Sequence, residues 1–128
     1  MTTRLTDVLL FVTDLERVAG FYASALGFVR EASADAGFVT MRADGGAALA
    51  LHQVPAEVAA EIDLQAPARW REDTACKLCF AVDDLAAARE AVLAGGGQAR
   101  APWAWAGADY CDCADIEGNP IQLVVRPA

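Results

Sequence analysis

The chain has 128 residues, of which 55% are apolar and 22% are charged, and its formal net charge is −8. This balance is typical of one globular domain and excludes a disordered chain, and the length suffices to bury a core without a disulfide or a metal ion. The excess of acidic groups disfavours binding to nucleic acid or to an anionic membrane surface, whereas it permits cationic or neutral ligands.

The apolar run at the start of the chain is too short, and too interrupted by acidic residues, for a signal peptide. No stretch approaches the ~20 apolar residues of a membrane span. We therefore expect a cytoplasmic protein. Cysteines remain thiols in that compartment, and we expect this of all four: Cys76, Cys79, Cys111 and Cys113.

The predicted elements form one series that occurs twice when the chain is shifted by 70 residues. Each copy begins with a short apolar strand, followed by an aspartate and an apolar pattern for a helix of about three turns. Asp14 and Asp84 can each cap a helix by accepting hydrogen bonds from its free N–H groups. Gly27 and the glycines at 95–97 end the helices, because glycine readily adopts the left-handed conformation. The second helix is predicted over 85–94.

Three strand-like segments follow each helix and are separated by turn residues. They cover residues 28–34, 37–43 and 46–53 in the first copy and residues 98–102, 108–114 and 119–125 in the second. Proline and glycine predict a loop or a ragged sheet edge around Trp103 and Trp105.

The two copies are joined by residues 54–74, which contain two prolines and a short helical pattern around 56–62. This segment is predicted to be a linker. The whole pattern is therefore βαβββ twice, with a first module at 1–53 and a second at 75–128. Strands that follow one another without intervening helices predict an α+β fold class.

This order of elements, with strand–x–Asp–Leu–helix opening each copy, resembles the vicinal oxygen chelate superfamily. That group includes glyoxalase I, the bleomycin- and fosfomycin-resistance proteins and the extradiol dioxygenases. Asp115 to Leu123 resembles the family's Asp-Pro-Asp-Gly-Asn turn and last strand, and Phe21-Tyr22 with Leu26-Gly27 resembles its first helix. The resemblance implies the glyoxalase/bleomycin-resistance fold, in which two modules form half-barrels around a cleft, and it implies a homodimer.

Metal-dependent relatives hold a divalent ion with His or Glu side chains from the first and last strands of the modules. The resemblance places Asp7, Lys77, Gln122 and Ala50 at these positions. Carboxylate and amide oxygens can bind a cation, but a lysine ammonium ~4 Å from a divalent cation would repel it by roughly 8 kcal/mol at an effective dielectric near 20. We therefore predict no metal and no cofactor. We expect Lys77 to pair with Asp7 across the cleft, with Gln122 as a hydrogen-bond partner.

Strand alternation extends the cleft, since side chains two and four residues apart face the same side. By the same resemblance, Tyr110 and Asp112 face inward, whereas Cys111 and Cys113 face the opposite side. A mostly apolar cleft with a few polar groups is typical of small-molecule sites. The predicted ligand-binding residues are Asp7, Leu9, Phe11, His52, Lys77, Cys79, Trp103, Trp105, Tyr110, Asp112 and Gln122.

Several of these residues have two interpretations. His52, the only histidine, is either a ring at the cleft rim or a general base. Trp103 and Trp105 either stack on a planar or cationic ligand or pack at a dimer interface, whereas Trp70 is predicted to be a packing anchor. The cysteine spacings do not favour zinc, because residues three apart on a strand point to opposite faces. We expect all four thiols to be buried.

The sequence therefore predicts a glyoxalase/bleomycin-resistance-like protein that lacks the usual metal ligands and binds or sequesters a small organic molecule. An alternative is an enzyme of the same superfamily, a glyoxalase-like lyase, epimerase or dioxygenase, with a rebuilt or unpredicted metal site. A third is a regulatory module whose cleft is filled by its own side chains. The residues assign no catalytic group, and whether a reaction is catalysed stays open.

Overall fold

The order of helices and strands repeats in the two halves of the chain. The computed structural model describes all 128 residues and divides into two units, Met1–Asp63 and Leu64–Ala128. The first unit contains β1 (Asp7–Val12), α1 (Leu15–Leu26), β2 (Val29–Arg30), β3 (Phe38–Arg42), β4 (Ala48–Gln53) and α2 (Ala56–Ala59). The second contains β5 (Leu78–Ala81), α3 (Leu85–Ala94), β6 (Gln98–Ala99), β7 (Trp103–Trp105), β8 (Ala108–Ala114) and β9 (Pro120–Val125). This series confirms the predicted α+β class. No helix is long and apolar enough to cross a membrane.

Helix α1 begins and ends at the residues that its capping signals predict. The Asp14 carboxylate accepts a hydrogen bond from the Arg17 backbone N–H at 3.2 Å, which satisfies one of the free donors of the first turn. Gly27 ends the helix with φ of +72°, a left-handed conformation that glycine adopts without strain. Val18 and Tyr22 are fully buried on the face that packs against the first sheet.

The first sheet has the strand order β1-β4-β3-β2, with β1 parallel to β4 and the other neighbours antiparallel. The face towards α1 buries Val12, Met41 and Leu51 completely. The opposite face carries Phe11 and His52, which are directly paired across β1 and β4 and are exposed. Alternation along the strands therefore divides the sheet into a core face and an open face.

The second unit repeats this arrangement. Asp84 caps α3 by accepting a hydrogen bond from the Ala87 backbone N–H at 3.0 Å. The second sheet has the order β5-β9-β8-β6, with β5 parallel to β9, and β7 also pairs with β8. Val92 of α3 and the inner-face residues Cys111 and Leu123 are fully buried. The open face of this sheet holds the candidate site.

Strand β7 lies where the sequence predicts a loop or a ragged edge. Ala99 pairs with Cys113 before this region, and Trp103 pairs with Tyr110 after it. Residues 100–102 therefore oppose only two residues of β8, which is a β-bulge. The proline within the bulge lacks the N–H that an uninterrupted ladder would require, so the predicted single strand divides into β6 and β7.

A two-residue turn joins β7 to β8. Ala106 and Gly107 both have positive φ, +52° and +81° respectively. This combination is typical of the tight type I′ hairpin turn, whose twist matches that of the flanking strands. The turn places Trp105 opposite Ala108 and fixes the register of the whole hairpin.

The turn between β8 and β9 is built around a buried carboxylate. One oxygen of Asp115 accepts hydrogen bonds from the backbone N–H groups of Glu117 at 2.9 Å and Asn119 at 3.0 Å. Gly118 has φ of +83°, and its carbonyl accepts a hydrogen bond from the Arg71 backbone N–H at 2.9 Å. The turn therefore anchors the second half of the predicted linker to the second unit.

Candidate functional site

Asp112 is the centre of a hydrogen-bonded cluster on the open face of the second sheet. Its Oδ1 accepts hydrogen bonds from Lys77 Nζ at 3.4 Å and from Gln122 Nε2 at 3.2 Å. Its Oδ2 accepts one from the indole Nε1–H of Trp103 at 3.0 Å. We call these four residues the Asp112 cluster. A carboxylate with three donors around it is held in one orientation.

Strand register explains why these side chains meet. Asp112 on β8 lies directly opposite Gln122 on β9, and Gln122 in turn lies opposite Cys79 on β5. The Cys79 thiol is 3.7 Å from Gln122 Oε1, so one row of polar side chains crosses three strands. The β-bulge brings Trp103 into reach of the same row. Cross-strand pairs on one face are the expected neighbours in a sheet.

The cluster keeps Asp112 ionised. Partial burial opposes ionisation, but the hydrogen bonds from Gln122 and Trp103 and the positive charge of Lys77 outweigh it, and the pKa of the Asp112 carboxyl lies below its ordinary value. The side chains of Lys77 and Asp112 are 45% and 27% exposed, so the ion pair is accessible from solvent. Lys77 is the only lysine in the chain.

An aromatic surface adjoins the cluster. The rings of Trp103 and Tyr110 stack across β7 and β8 with 4.4 Å between centroids and 15° between planes. Trp103 remains 40% exposed, because Tyr110 covers only one side of the indole. Trp105 lies on the same strand and is 68% exposed. Stacking and the bond to Asp112 together fix the Trp103 ring, so a planar ligand meets a preorganised surface.

A cavity of ≈ 340 Å³ lies beside the cluster and shares Lys77 and Asp112 with it. Its other walls include Trp70, Glu72 and Arg100. The Arg100 guanidinium carbon lies 4.2 Å from the centre of the Trp70 ring, and the guanidinium also forms an ion pair with Glu72. The volume lies at the lower end of the range for ligand pockets, about 300–1,000 Å³.

Sequence reasoning missed the part of this cavity that comes from the linker. Trp70 is not only a packing anchor, since its ring forms a cation–π contact with the Arg100 guanidinium. Glu72 and Arg100 were not among the predicted site residues, because no local pattern shows that residues so far apart in the chain meet. The one available signal is the charged run around Trp70 within an otherwise turn-rich segment.

Within the first unit, the predicted site residues lie on strands β1 and β4. Asp7 accepts a hydrogen bond from the Thr6 hydroxyl at 2.7 Å. The His52 ring lies 5.7 Å from that of Phe11 and 6.0 Å from that of Phe38, on the open face that also carries the 41% exposed Leu9. The predicted Asp7–Lys77 pair would join the two units and stays a prediction. Within its own unit, Lys77 has the carboxylate of Asp112 as its partner.

The cysteines divide into two pairs. Cys111 and Cys113 are buried on the core face, as predicted. Their sulfur atoms are 3.7 Å apart. Burial and the neighbouring Cys111 thiol raise the pKa of Cys113 to about 12. Cys76 and Cys79 are exposed, and the prediction of four buried thiols is therefore wrong for them. Cys76 precedes β5, and Cys79 lies on the open face of this edge strand.

The residues of the second unit do not fit the divalent ion that relatives of this fold can hold. No group of three or more His, Cys, Asp or Glu side chains is placed to bind a metal ion. At the position where a ligand would be needed, Lys77 offers only N–H donors and already occupies the Asp112 carboxylate. A cation on Asp112 would have to displace an ammonium group from it, which opposes metal binding at this position.

Two units of the βαβββ type, the second with one strand divided into β6 and β7, define the class of glyoxalase/bleomycin-resistance folds. The sequence model of the glyoxalase-like domain matches residues 7–124, and the chain therefore belongs to this family, within the vicinal oxygen chelate superfamily. No curated protein matches the chain significantly in sequence.

Solved structures share the fold over nearly the whole chain. A glyoxalase/bleomycin resistance protein/dioxygenase family enzyme from Burkholderia phytofirmans is 20% identical, with a TM-score of 0.74 over 98% of this chain and 100% of the other. The bleomycin resistance determinant encoded on transposon Tn5 is 21% identical, with a TM-score of 0.67 over 98% and 100%. The fosfomycin resistance protein FosX from Mesorhizobium loti is 16% identical, with a TM-score of 0.71 over 99% and 95%. At these sequence identities, the similarity shows a shared fold and not a shared function.

Proposed function

We propose that this protein binds a small organic molecule on the open face of its second sheet without using a metal ion. The observation that carries the proposal is the Trp103 ring, which is stacked on Tyr110, tied to Asp112 and still 40% exposed. An aromatic surface held in place by other side chains loses little conformational entropy on binding, and it therefore favours association with a flat molecule.

Lys77 and the adjoining cavity supply the polar part of the proposed site. The cavity provides two cations and two carboxylates next to the aromatic surface, and apolar walls at Pro120 and Ile121. A few convergent polar groups beside an apolar surface orient a ligand and give it specificity. Sequestration requires no catalytic group, whereas an enzyme of this superfamily would need a residue placed to transfer protons or hold a cofactor.

A calorimetric titration of the purified protein against a panel of small planar molecules tests this function. Bleomycin and fosfomycin, which are not small planar molecules, are added to the panel because two proteins with similar structures are described as resistance proteins for them. We expect stoichiometric binding without turnover, and a Trp103→Phe variant about tenfold weaker because it loses the bond that fixes the ring. Trp105→Phe serves as the matched control, and we expect it to bind nearly as the wild type does.

Two results would contradict the proposal. One is a complete panel without heat of binding and without a thermal shift. The other is a ligand whose affinity is unchanged in Trp103→Phe. Catalytic turnover of a bound panel member would instead support the alternative, an enzyme with a rebuilt site. Elemental analysis that finds a stoichiometric transition metal in the active protein would overturn the metal-free part of the proposal.

We further propose a homodimer that covers the open face of the first unit. Phe11 is 65% exposed there, beside His52 and Phe38, and an exposed aromatic patch of this kind is typical of a protein interface. Light scattering after size exclusion should report a dimer for the wild type and a monomer for Phe11→Asp. Leu93→Asp on α3, also at an exposed apolar position, is the control. A wild-type monomer would contradict this proposal.

A further inference from the structure

The charged side chains of the cavity specify which class of ligand the proposed site takes. We infer that the ligand carries an oxyanion, a carboxylate or a phosphate, which Lys77 and Arg100 bind in the cavity beside the Asp112 cluster. This inference rests on the proposed function and names its ligand class. The net charge of −8 permits a cationic or neutral ligand, whereas the side chains of the cavity favour an anionic one.

Lys77 has N–H donors that no acceptor of the protein uses. An ammonium group carries three N–H bonds, and Asp112 Oδ1, at 3.4 Å, is the only acceptor with which Lys77 forms a hydrogen bond. The side chain is 45% exposed at the cavity wall, so the remaining N–H bonds are open to a ligand. A longer than usual bond to Asp112 also leaves room for the ammonium to move towards a second anion.

Arg100, which also lines the cavity, likewise has N–H donors that remain available to a ligand. Its Nη2 donates to Glu72, while the guanidinium plane carries further N–H donors that lie above the Trp70 ring. The side chain is 55% exposed. A guanidinium held over an indole and paired with a carboxylate is oriented before a ligand arrives, and guanidinium N–H pairs suit the oxygens of carboxylate and phosphate.

Each carboxylate of the cavity already has a cationic partner. Asp112 accepts hydrogen bonds from three side chains, and Glu72 is paired with Arg100. The formal charges of the lining residues are two positive and two negative, so a cationic ligand would add a third positive charge and would compete with Lys77 and Arg100 for the two carboxylates. An oxyanion can instead accept hydrogen bonds from the remaining N–H donors of Lys77 and Arg100. Local side-chain geometry therefore outweighs the net charge of −8 of the chain.

The dimensions of the site set the size of the ligand. Trp103 Nε1 and Lys77 Nζ lie 3.0 Å and 3.4 Å from the two oxygens of one carboxylate, Asp112. A molecule that stacks on the exposed side of the indole can therefore reach Lys77 with an oxyanion that is attached directly or nearly directly to its ring. Benzoate and phenyl phosphate are the simplest molecules of this kind.

Three probes of the same shape and different charge test the inference. Benzoate, benzamide and benzamidine carry a negative, a neutral and a positive group on one ring, and phenyl phosphate replaces the carboxylate by a phosphate. Because Lys77 is the only lysine, reductive methylation with ¹³C-formaldehyde labels this side chain and the N-terminal amine alone, and methylation keeps the positive charge. Titrations are followed by the ¹³C signal of Lys77 and by calorimetry.

We expect benzoate or phenyl phosphate to shift the Lys77 signal and to bind at least about tenfold more tightly than benzamidine. The tighter of the two anions identifies the preferred oxyanion. Lys77→Met and Arg100→Gln should each remove this preference. Arg17→Met, which removes an exposed positive charge in the first unit, should leave it unchanged, and circular dichroism verifies that each variant is folded.

The outcomes separate this inference from the proposed function. Equal or tighter binding of benzamide or benzamidine, or a preference for anions that survives in Lys77→Met, overturns the oxyanion inference and leaves the proposed function standing. Absence of binding by all four probes also overturns the inference. If the wider panel contains no ligand either, the proposed function fails as well.

Discussion

Replacement of Gly118 by alanine tests the turn that joins the linker to the second sheet. A Cβ atom built on Gly118 would lie 3.0 Å from the Arg69 carbonyl carbon and closer still to its oxygen, and it would lie 3.6 Å from the Arg71 side chain. The first obstacle is backbone and cannot rotate away. In addition, the φ of +83° is one that alanine rarely adopts.

The expected cost has two parts. The left-handed conformation costs a residue with a Cβ about 1–2 kcal/mol. Forcing an additional methyl group against fixed atoms costs about 1–3 kcal/mol more. We therefore expect Gly118→Ala to lower the free energy of unfolding by about 2–5 kcal/mol, a large part of the roughly 5–15 kcal/mol that stabilises a domain of this kind.

Urea denaturation followed by circular dichroism measures this difference, provided that the slope of the transition is unchanged. Gly20→Ala is the matched control, because Gly20 lies within helix α1 and a Cβ there has no atom within 4 Å. We expect this control to stabilise the protein by about 0.5–1 kcal/mol, since alanine favours a helix more than glycine does. A Gly118→Ala variant whose stability lies within about 0.5 kcal/mol of the wild type would refute the argument.

Three further predictions concern the second unit. The carboxyl of Asp112, followed by NMR, should titrate with a pKa below its ordinary value, and Trp103→Phe should raise this pKa. The stability that the lowered pKa contributes should be present above about pH 4 and should be lost as the pH falls further. Timed alkylation at pH 8 with mass spectrometry should modify Cys76 quickly, whereas Cys113, with a pKa of about 12, should react only on unfolding; equal rates would contradict this. Ala106→Asn should stabilise the hairpin by about 0.5–1 kcal/mol in the urea assay, because asparagine tolerates positive φ better than alanine; a loss of stability would contradict it.

The sequence by itself determined the order of the main elements and the residues that begin and end helices α1 and α3. Asp14, Asp84 and Gly27 act within one turn of the chain, and their hydrogen bonds and backbone angles follow from local chemistry. The family resemblance, extended by alternation along the strands, likewise placed Asp112 and Gln122 on the open face and Cys111 on the core face. Such signals are readable because the interacting groups are near one another in sequence or follow a fixed period.

Only the tertiary structure decided which side chains meet. The β-bulge, an insertion of one residue, brings Trp103 onto Asp112, and nothing in the alternation pattern predicts where a strand is interrupted. The folded linker brings Trp70 onto Arg100, so a segment predicted only to connect the modules forms part of a cavity. Net charge and composition describe the chain as a whole. The charge that a ligand meets is set by a few hydrogen bonds at Asp112, because donors and acceptors act over a few ångströms.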